Sequence, residues 1–344
     1  MLKASYIKYQ LHFKEPSGTS RGILTDKETY FIRVWDDDCP GMVGIGECAL
    51  FRGLRAEDSP GYEDKLREVC EHIAYVRLGD LNKWSSILFG IEMAKFDLMH
   101  GGNQIYFPSA FTEGQQQIEI NGLIWMGDRD TMARRIQEKL DAGFRCIKLK
   151  IGAIDFEAEL DLLRHIRAHF SPDQVELRVD ANGAFSPDEA LSRLEALSQF
   201  GLHSIEQPIR QGQWEVMARL CRETPVPIAL DEELIGVVDR ERKQALLATI
   251  RPQYIILKPS LCGGFSGALE WIDMANEQHI GWWVTSALES NIGLNALAQW
   301  VATLDNSMPQ GLGTGQLYTN NITSPLRQEG GYLYYDLKGE LETF

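Results

Sequence analysis

The runs VELRVD (175–180), LHSIE (202–206) and VPIALD (226–231) each close an apolar stretch with an acid, namely Asp180, Glu206 and Asp231. The acids stand 206 − 180 = 26 and 231 − 206 = 25 residues apart. A lysine flanks the trio on each side: Lys150 ends CIKLK (146–150) and Lys258 ends YIILK (254–258). Those outer gaps are 180 − 150 = 30 and 258 − 231 = 27 residues. One strand, a helix of about 10–15 residues and two short connections fill such an interval, so the spacing predicts successive β/α units. Side chains at the C-terminal ends of parallel strands converge on one face of a closed barrel. The rim therefore reads Lys, Asp, Glu, Asp, Lys.

Working outward, eight strand-like stretches follow one another from residue 118. They are IEINGLIW (118–125), CIKLKIG (146–152), VELRVDA (175–181), HSIEQP (203–208), PIALDE (227–232), YIILKPS (254–260), GWWVTSA (281–287) and QGLGTG (310–315). Seven helical segments lie between them. One is expected to start at a capping Asp130 and stop at Gly143; another starts with Ser186 and Pro187 and stops at Gly201. Residues 1–117 differ. YIKYQLHF, ETYFIRVWD and MVGIGECA alternate like antiparallel strands, and two helical stretches follow, the second (SSILFGIEMAKFDLMHG) with little polar face. The expected architecture is α/β: a (β/α)7β barrel over 118–315 and an α+β capping domain over 1–117. The tail, 316–344, carries strand character in YLYYDL and is expected to return to the capping domain.

Composition narrows the function. The chain has 344 residues, 44% of them hydrophobic, enough for a sizeable core. Its net charge of −15, with no long basic run, argues against nucleic acid or an acidic membrane surface as partner. The six cysteines form no C-x-x-C pair and read as reduced, buried thiols. No stretch is long and apolar enough for a membrane span, and MLKASYIKYQLHF reads as a strand rather than a signal peptide. A cytoplasmic protein is expected, with homo-oligomerisation left open.

A single acid at a strand end is usually a solvated loop residue or a helix cap. Three at barrel spacing would repel one another unless a cation lay between them. Oxygen ligands without histidine or cysteine favour Mg²⁺, or else Mn²⁺, over zinc, and magnesium's retained waters leave room for a small anionic carboxylate substrate. Lys148 and Lys150 are two apart and share one face of their strand. Their mutual repulsion is expected to lower each one's affinity for its proton and so bring Lys150 toward the range of a general base.

The set K-x-K (148–150), D-A-N (180–182), I-E-Q-P (205–208), D-E (231–232) and L-K-P (257–259) resembles the enolase superfamily, in particular its muconate-lactonizing subgroup. The similarity extends to G-E-C (46–48) and I-E-M-A-K-F-D-L (91–98), so it spans most of the chain. SALESNIGLN (286–295) and PQGLGT (309–314) look like the o-succinylbenzoate synthase family within it, although that family often has Asp where Gly313 stands. The resemblance implies a magnesium-dependent dehydratase of menaquinone biosynthesis. Asp180, Glu206 and Asp231 would hold the metal, Lys150 would be the base, and Lys258 would stabilise an ene-diolate. Lys148 would tune Lys150 and contact the substrate carboxylate. Asn182 and Glu232 would support these groups, Ser286 and Gly311 would touch the succinyl end, and a loop at Ser20–Leu24 would close above. The rivals are a dipeptide epimerase or N-acylamino-acid racemase of the same superfamily and, more remotely, a non-catalytic barrel that binds a ligand. The absence of an acid in 311–315 argues against a substrate bearing an α-ammonium group.

Overall fold

The computed structural model describes residues 1–19, 22–39, 41–54 and 57–342. The chain opens with an antiparallel sheet of β1 (Leu2–Thr19), β2 (Gly22–Asp36) and β3 (Val43–Cys48). Helices α1 (Tyr62–Glu71) and α2 (Ser85–Met99) follow. Helix α2 is apolar on almost every side because it is sandwiched: it packs on β2 and β3 and also on barrel helix α8 (Gly264–Glu277). Its contact with β3 is at backbone distance. A Cβ on Gly44 would lie 1.9 Å from the Ala94 carbonyl oxygen, and one on Gly46 would lie 1.9 Å from that of Gly90. Any side chain at either position would push the helix off the sheet.

The barrel sheet is parallel. Its strands are β5 (Gly122–Ile124), β6 (Cys146–Lys150), β7 (Glu176–Asp180), β8 (Ser204–Glu206), β9 (Ile228–Leu230), β10 (Tyr254–Leu257) and β11 (Gly281–Val284), each hydrogen-bonded to the next. Around them run α3 (Arg129–Asp141), α4 (Phe156–His169), α5 (Ala190–Ser198), α6 (Trp214–Glu223), α7 (Arg240–Ile250), α8 and α9 (Asn291–Val301). Runs such as Ile147, Leu149, Leu177, Val179, Ile205, Ile228 and Leu230 are buried, as expected of strands covered by side chains inside and helices outside.

Four expectations need correction. The stretch 310–315 is not a regular strand. It closes the ring through single parallel bridges, Thr285 with Gly311 and Ile120 with Gln310, because its glycines supply no side chains for a pleated surface. The stretch 118–125 splits in two: β4 (Ile118–Glu119) leaves the barrel to pair with β13 (Tyr332–Tyr335), which pairs in turn with β12 (Leu326–Glu329). Part of the tail thus joins the chain at the entry to the barrel, while residues 317–320 run beside β1, with Tyr318 bridged to Phe13. Finally, α3 is capped by Asp128, whose carboxylate accepts from the Thr131 N–H, rather than by Asp130; and α5 begins at Ala190, after a turn that starts at Ser186.

The resemblance motifs of the first hundred residues hold the two halves together. Glu47, wholly buried, accepts from Thr29 Oγ1 at 2.8 Å, Ser290 N at 3.0 Å, Ser290 Oγ at 2.6 Å and Gly293 N at 2.9 Å. Glu92 accepts from Phe265 N at 2.6 Å and Ser266 N at 3.3 Å. Both carboxylates sit at the N-termini of barrel helices α9 and α8, where unpaired N–H groups and the helix dipole favour negative charge.

Candidate active site

Strand register brings the predicted rim together. Lys150 pairs with Asp180, Asp180 with Glu206, and Glu206 with Ala229, two residues before Asp231. Beyond the strands the chain turns sharply, with Asn182 at φ 45° and Gln207 at φ 39°, so the residues after each acid also stay at the rim. Lys150 Nζ lies 2.6 Å from Asp180 Oδ2 and 2.8 Å from Asn182 Oδ1. Asn182 Nδ2 donates to Glu232 Oε1 at 2.9 Å. Across the barrel, Lys258 Nζ is 2.5 Å from Asp231 Oδ2. Lys148 Nζ bridges Asp180, at 2.9 Å, and Glu206 Oε2.

These contacts overturn one expectation. Burial does pull Lys148 toward the neutral form, but Asp180 and Glu206 outweigh it and hold the ammonium well above its usual range. Repulsion from Lys150 does not set its charge. Lys258 is likewise raised: burial opposes, and Asp231, Glu206 and Glu232 prevail. Burial acts against Asp180 as well, yet Lys148 and Lys150 keep it well below the carboxylate range, and against the same opposition Lys258 lowers Asp231. Glu206 is pushed the other way, first by burial and then by the Asp180 and Asp231 charges.

Glu206 also carries the mark of a missing partner: its Oε1 is buried without a hydrogen bond among the described residues. Among those residues no three acidic, histidine or cysteine side chains are pre-arranged as a cage, since lysine ammonium groups take the places between the carboxylates. The donor set nevertheless fits a hard divalent cation. It is all oxygen, one oxygen is unpartnered, and only flexible lysine tips would need to swing away. Gln207 has a supporting role that the sequence did not assign. Its Oε1 accepts from the N–H groups of Asp231 and Glu233, and its Nε2 donates to the Ile209 carbonyl, pinning the strand end that carries Asp231.

A cavity of ≈ 740 Å³, counting its open mouth, lies over this cluster. Lys148, Lys150, Asn182 and Lys258 line one side, and Phe51, Leu54, Leu123, Trp125, Leu261 and Leu288 form an apolar wall. Ser286 and Gly311 also face it. Ser286 Oγ donates to Glu289 Oε2 at 2.6 Å and accepts from Thr314 Oγ1 at 2.9 Å and Leu288 N at 3.0 Å, so its hydroxyl is saturated. Gly311 is small because Thr285 crowds it; a Cβ there would lie 2.3 Å from Thr285 Oγ1. Of the expected loop at Ser20–Leu24, Ser20 and Arg21 lie outside the described residues, and Gly22 already begins β2. Among the described residues lining the cavity, none is acidic.

Comparison with known proteins agrees with this geometry. Residues 131–338 match the family model "Enolase C-terminal domain-like". The chain belongs to that family. Within it, the o-succinylbenzoate synthase of Desulfotalea psychrophila is 49% identical, over 96% of this chain and 98% of that protein. A crystal structure of MenC from Desulfotalea psychrophila LSv54 superposes with a TM-score of 0.86 at 45% identity, covering 97% of this chain and 99% of that one. The D-Ala-D/L-Ala epimerase of Cytophaga hutchinsonii is more distant, 27% identical over 85% of this chain and 80% of that protein. The candidate site stands at the C-terminal ends of the strands, the face where (β/α) barrels carry their chemistry. Among the described residues, no helix is long and apolar enough to cross a membrane.

Proposed function

We propose that the chain is an o-succinylbenzoate synthase, a lyase that converts 2-succinyl-6-hydroxy-2,4-cyclohexadiene-1-carboxylate into 2-succinylbenzoate and water. The observation that carries this reading is the likeness to the Desulfotalea psychrophila enzyme over nearly the whole of both chains. The cavity supports it. A dianionic substrate would meet lysines at one end and no acid among the described lining residues, whereas a free α-ammonium group would meet only like charge.

Asp180, Glu206 and Asp231 would hold Mg²⁺ or Mn²⁺, and Lys148, Lys150 and Lys258 would turn from these carboxylates toward the substrate. When bound, the cation supplies Lewis-acid charge at the substrate carboxylate. Lys150 takes the proton from C1, next to that carboxylate. Lys258, half a barrel away, places its ammonium against the negative charge that develops on the carboxylate oxygens. Lys148, held charged, adds to the same stabilisation and orients the carboxylate. Asn182 and Glu232 fix where the amine of Lys150 can point. Lys150 then returns its proton to the hydroxyl leaving C6. The C1–H and C6–O bonds break, the C1–C6 double bond forms, and the aromatic ring drives the step. The product would serve menaquinone biosynthesis, with the enzyme in the cytoplasm.

The test is a direct comparison of kcat/KM. The cyclohexadiene acid should be turned over efficiently to product absorbing as an aryl ketone, and unprotected dipeptides poorly. Faster epimerisation of a dipeptide would overturn the assignment. Slow racemisation of N-succinylamino acids, which lack the ammonium group, is compatible with two lysines facing each other across the barrel.

A further inference from the structure

Glu47 and Glu289, both wholly buried, stand side by side where the capping sheet meets the barrel. Glu47 accepts from Thr29, Ser290 and Gly293; Glu289, in the turn before α9, accepts from Ser260 Oγ and Ser286 Oγ, each at 2.6 Å. All of these donors are neutral hydroxyl or backbone N–H groups. Both acids pack against Gly293, where a Cβ would lie 2.7 Å from the Glu289 Cβ and 2.8 Å from Glu47 Oε2. Two like charges this deep need a counter-charge, because little water is there to screen them. The N-terminus of α9 offers part of it.

Lys27 offers the rest. It is 7% exposed, and among the described residues it is the one lysine whose ammonium is buried without a hydrogen bond. It lies two residues before Thr29, on the same face of β2, and Thr29 is bonded to Glu47. Its cross-strand partner Leu11 packs with Leu288, the neighbour of Glu289. Burial lowers the affinity of Lys27 for its proton, against the pull of the Glu47 and Glu289 charges. What these charges hold is part of the cavity. Glu289 ties Ser260, in the turn after β10, to Ser286, in the turn after β11. Leu261, Ser286, Ala287 and Leu288 of those turns line the cavity. We propose that Lys27, on the capping sheet, is a positioning residue whose ammonium is the counter-charge for Glu289 and Glu47 and so fixes the two turns of the cavity wall.

The experiment is a double-mutant cycle of Lys27→Met, which keeps the chain length without the charge, and Glu289→Gln. The amide suits the second site because both contacts are hydroxyls: its oxygen accepts from Ser286 Oγ, and its nitrogen donates to Ser260 Oγ, which turns to accept. In urea unfolding of the full chain, Lys27→Met should lower the folding equilibrium constant about ten- to a hundredfold, since removing one partner strands a buried charge. In the Glu289→Gln background the same change should cost less than about threefold, because no charge is stranded at that site. If Lys27→Met alone does not fold, the double variant should. Equal losses in the two backgrounds, or a double variant no better than Lys27→Met, overturn the counter-charge. With magnesium and the cyclohexadiene acid, Lys27→Met should raise KM about tenfold and leave kcat within about threefold, since the turns shape the wall without touching the reacting atoms. Adding Glu289→Gln should bring KM back, and an unchanged KM in folded Lys27→Met overturns the positioning role. This kinetic arm rests on the functional reading above. Wild-type protein that leaves the acid unconverted overturns that reading, and the unfolding cycle still decides the charge on Lys27.

Discussion

Replacing Glu47 by Gln should destabilise the whole molecule by about 2–5 kcal/mol, and the structure shows why an isosteric change is so costly. Oε1 accepts from Thr29 Oγ1 and Ser290 N, and Oε2 from Ser290 Oγ and Gly293 N. An amide keeps one acceptor and turns the other into a donor. If the amide nitrogen takes the Oε2 place, Ser290 Oγ can rotate to accept, but the Gly293 N–H faces another N–H. If it takes the Oε1 place, the Ser290 N–H is opposed instead. Either way one buried backbone donor is orphaned, worth about 1–3 kcal/mol, and the charge in the remaining bonds is lost, worth a further 1–2 kcal/mol or so. The group is held at backbone distance: a Cβ on Gly293 would lie 2.8 Å from Oε2, and 2.7 Å from the Glu289 Cβ. Measured against a typical total of about 5–15 kcal/mol, the loss is large. Urea unfolding followed by tryptophan fluorescence reads it directly, and the same variant should lose activity as the Ser286–Ser290 turn loosens. A destabilisation below about 1 kcal/mol would refute the view that this carboxylate clamps the sheet to α9.

Three further outcomes are expected. Lys150→Ala should abolish exchange of the substrate's C1 proton with solvent and lower kcat by about 10²–10⁴ or more, while Lys258→Ala should also block dehydration; near-normal turnover by Lys150→Ala would mean the base is elsewhere. Chelation should remove activity, and Mg²⁺ or Mn²⁺ should restore it, with Asp231→Asn needing far more metal while keeping its fold; full activity after chelation would end the metal reading. Glu57 gives a pH signature. Burial pushes its carboxyl up to about 8, against bonds from the Ser86 N–H and hydroxyl that work the other way. The folded state then holds a proton that the unfolded chain has released, so this group's contribution is complete below about pH 4.5 and fades as pH rises toward 8. Comparing melting temperatures at pH 5 and pH 8 should show Glu57→Gln losing that part of the slope, and identical slopes in the two proteins would contradict it.

The rim was legible because it depends on a period. Once 26- and 25-residue gaps are read as β/α units, neighbouring strands must set Lys150, Asp180 and Glu206 in one row, and the observed register does so. Side-chain partners were not legible, since they depend on which strands come within a few ångströms. Lys148 appeared beside Lys150 in sequence, but its charge is decided by Asp180 and Glu206, 32 and 58 residues away by number (180 − 148 and 206 − 148). Nor did the sequence show that Ser286, which lines the cavity, is tied to Glu289, Thr314 and Leu288. The choice of Asp128 over Asp130 as a cap turned on backbone angles that two equally suitable aspartates leave open.

The carboxylates of Glu47 and Glu92 also set a timetable for biosynthesis. Glu47 meets Gly293 across 246 residues, and Glu92 meets Phe265 across 173. At roughly 5–20 residues per second, a ribosome adds those 246 residues in about 12–50 s. Throughout that interval the nascent sheet and α2 carry acids whose eventual partners do not yet exist, and α2 has apolar flanks with no barrel to cover them. The first hundred residues therefore cannot complete these contacts until the starts of α8 and α9 have been made.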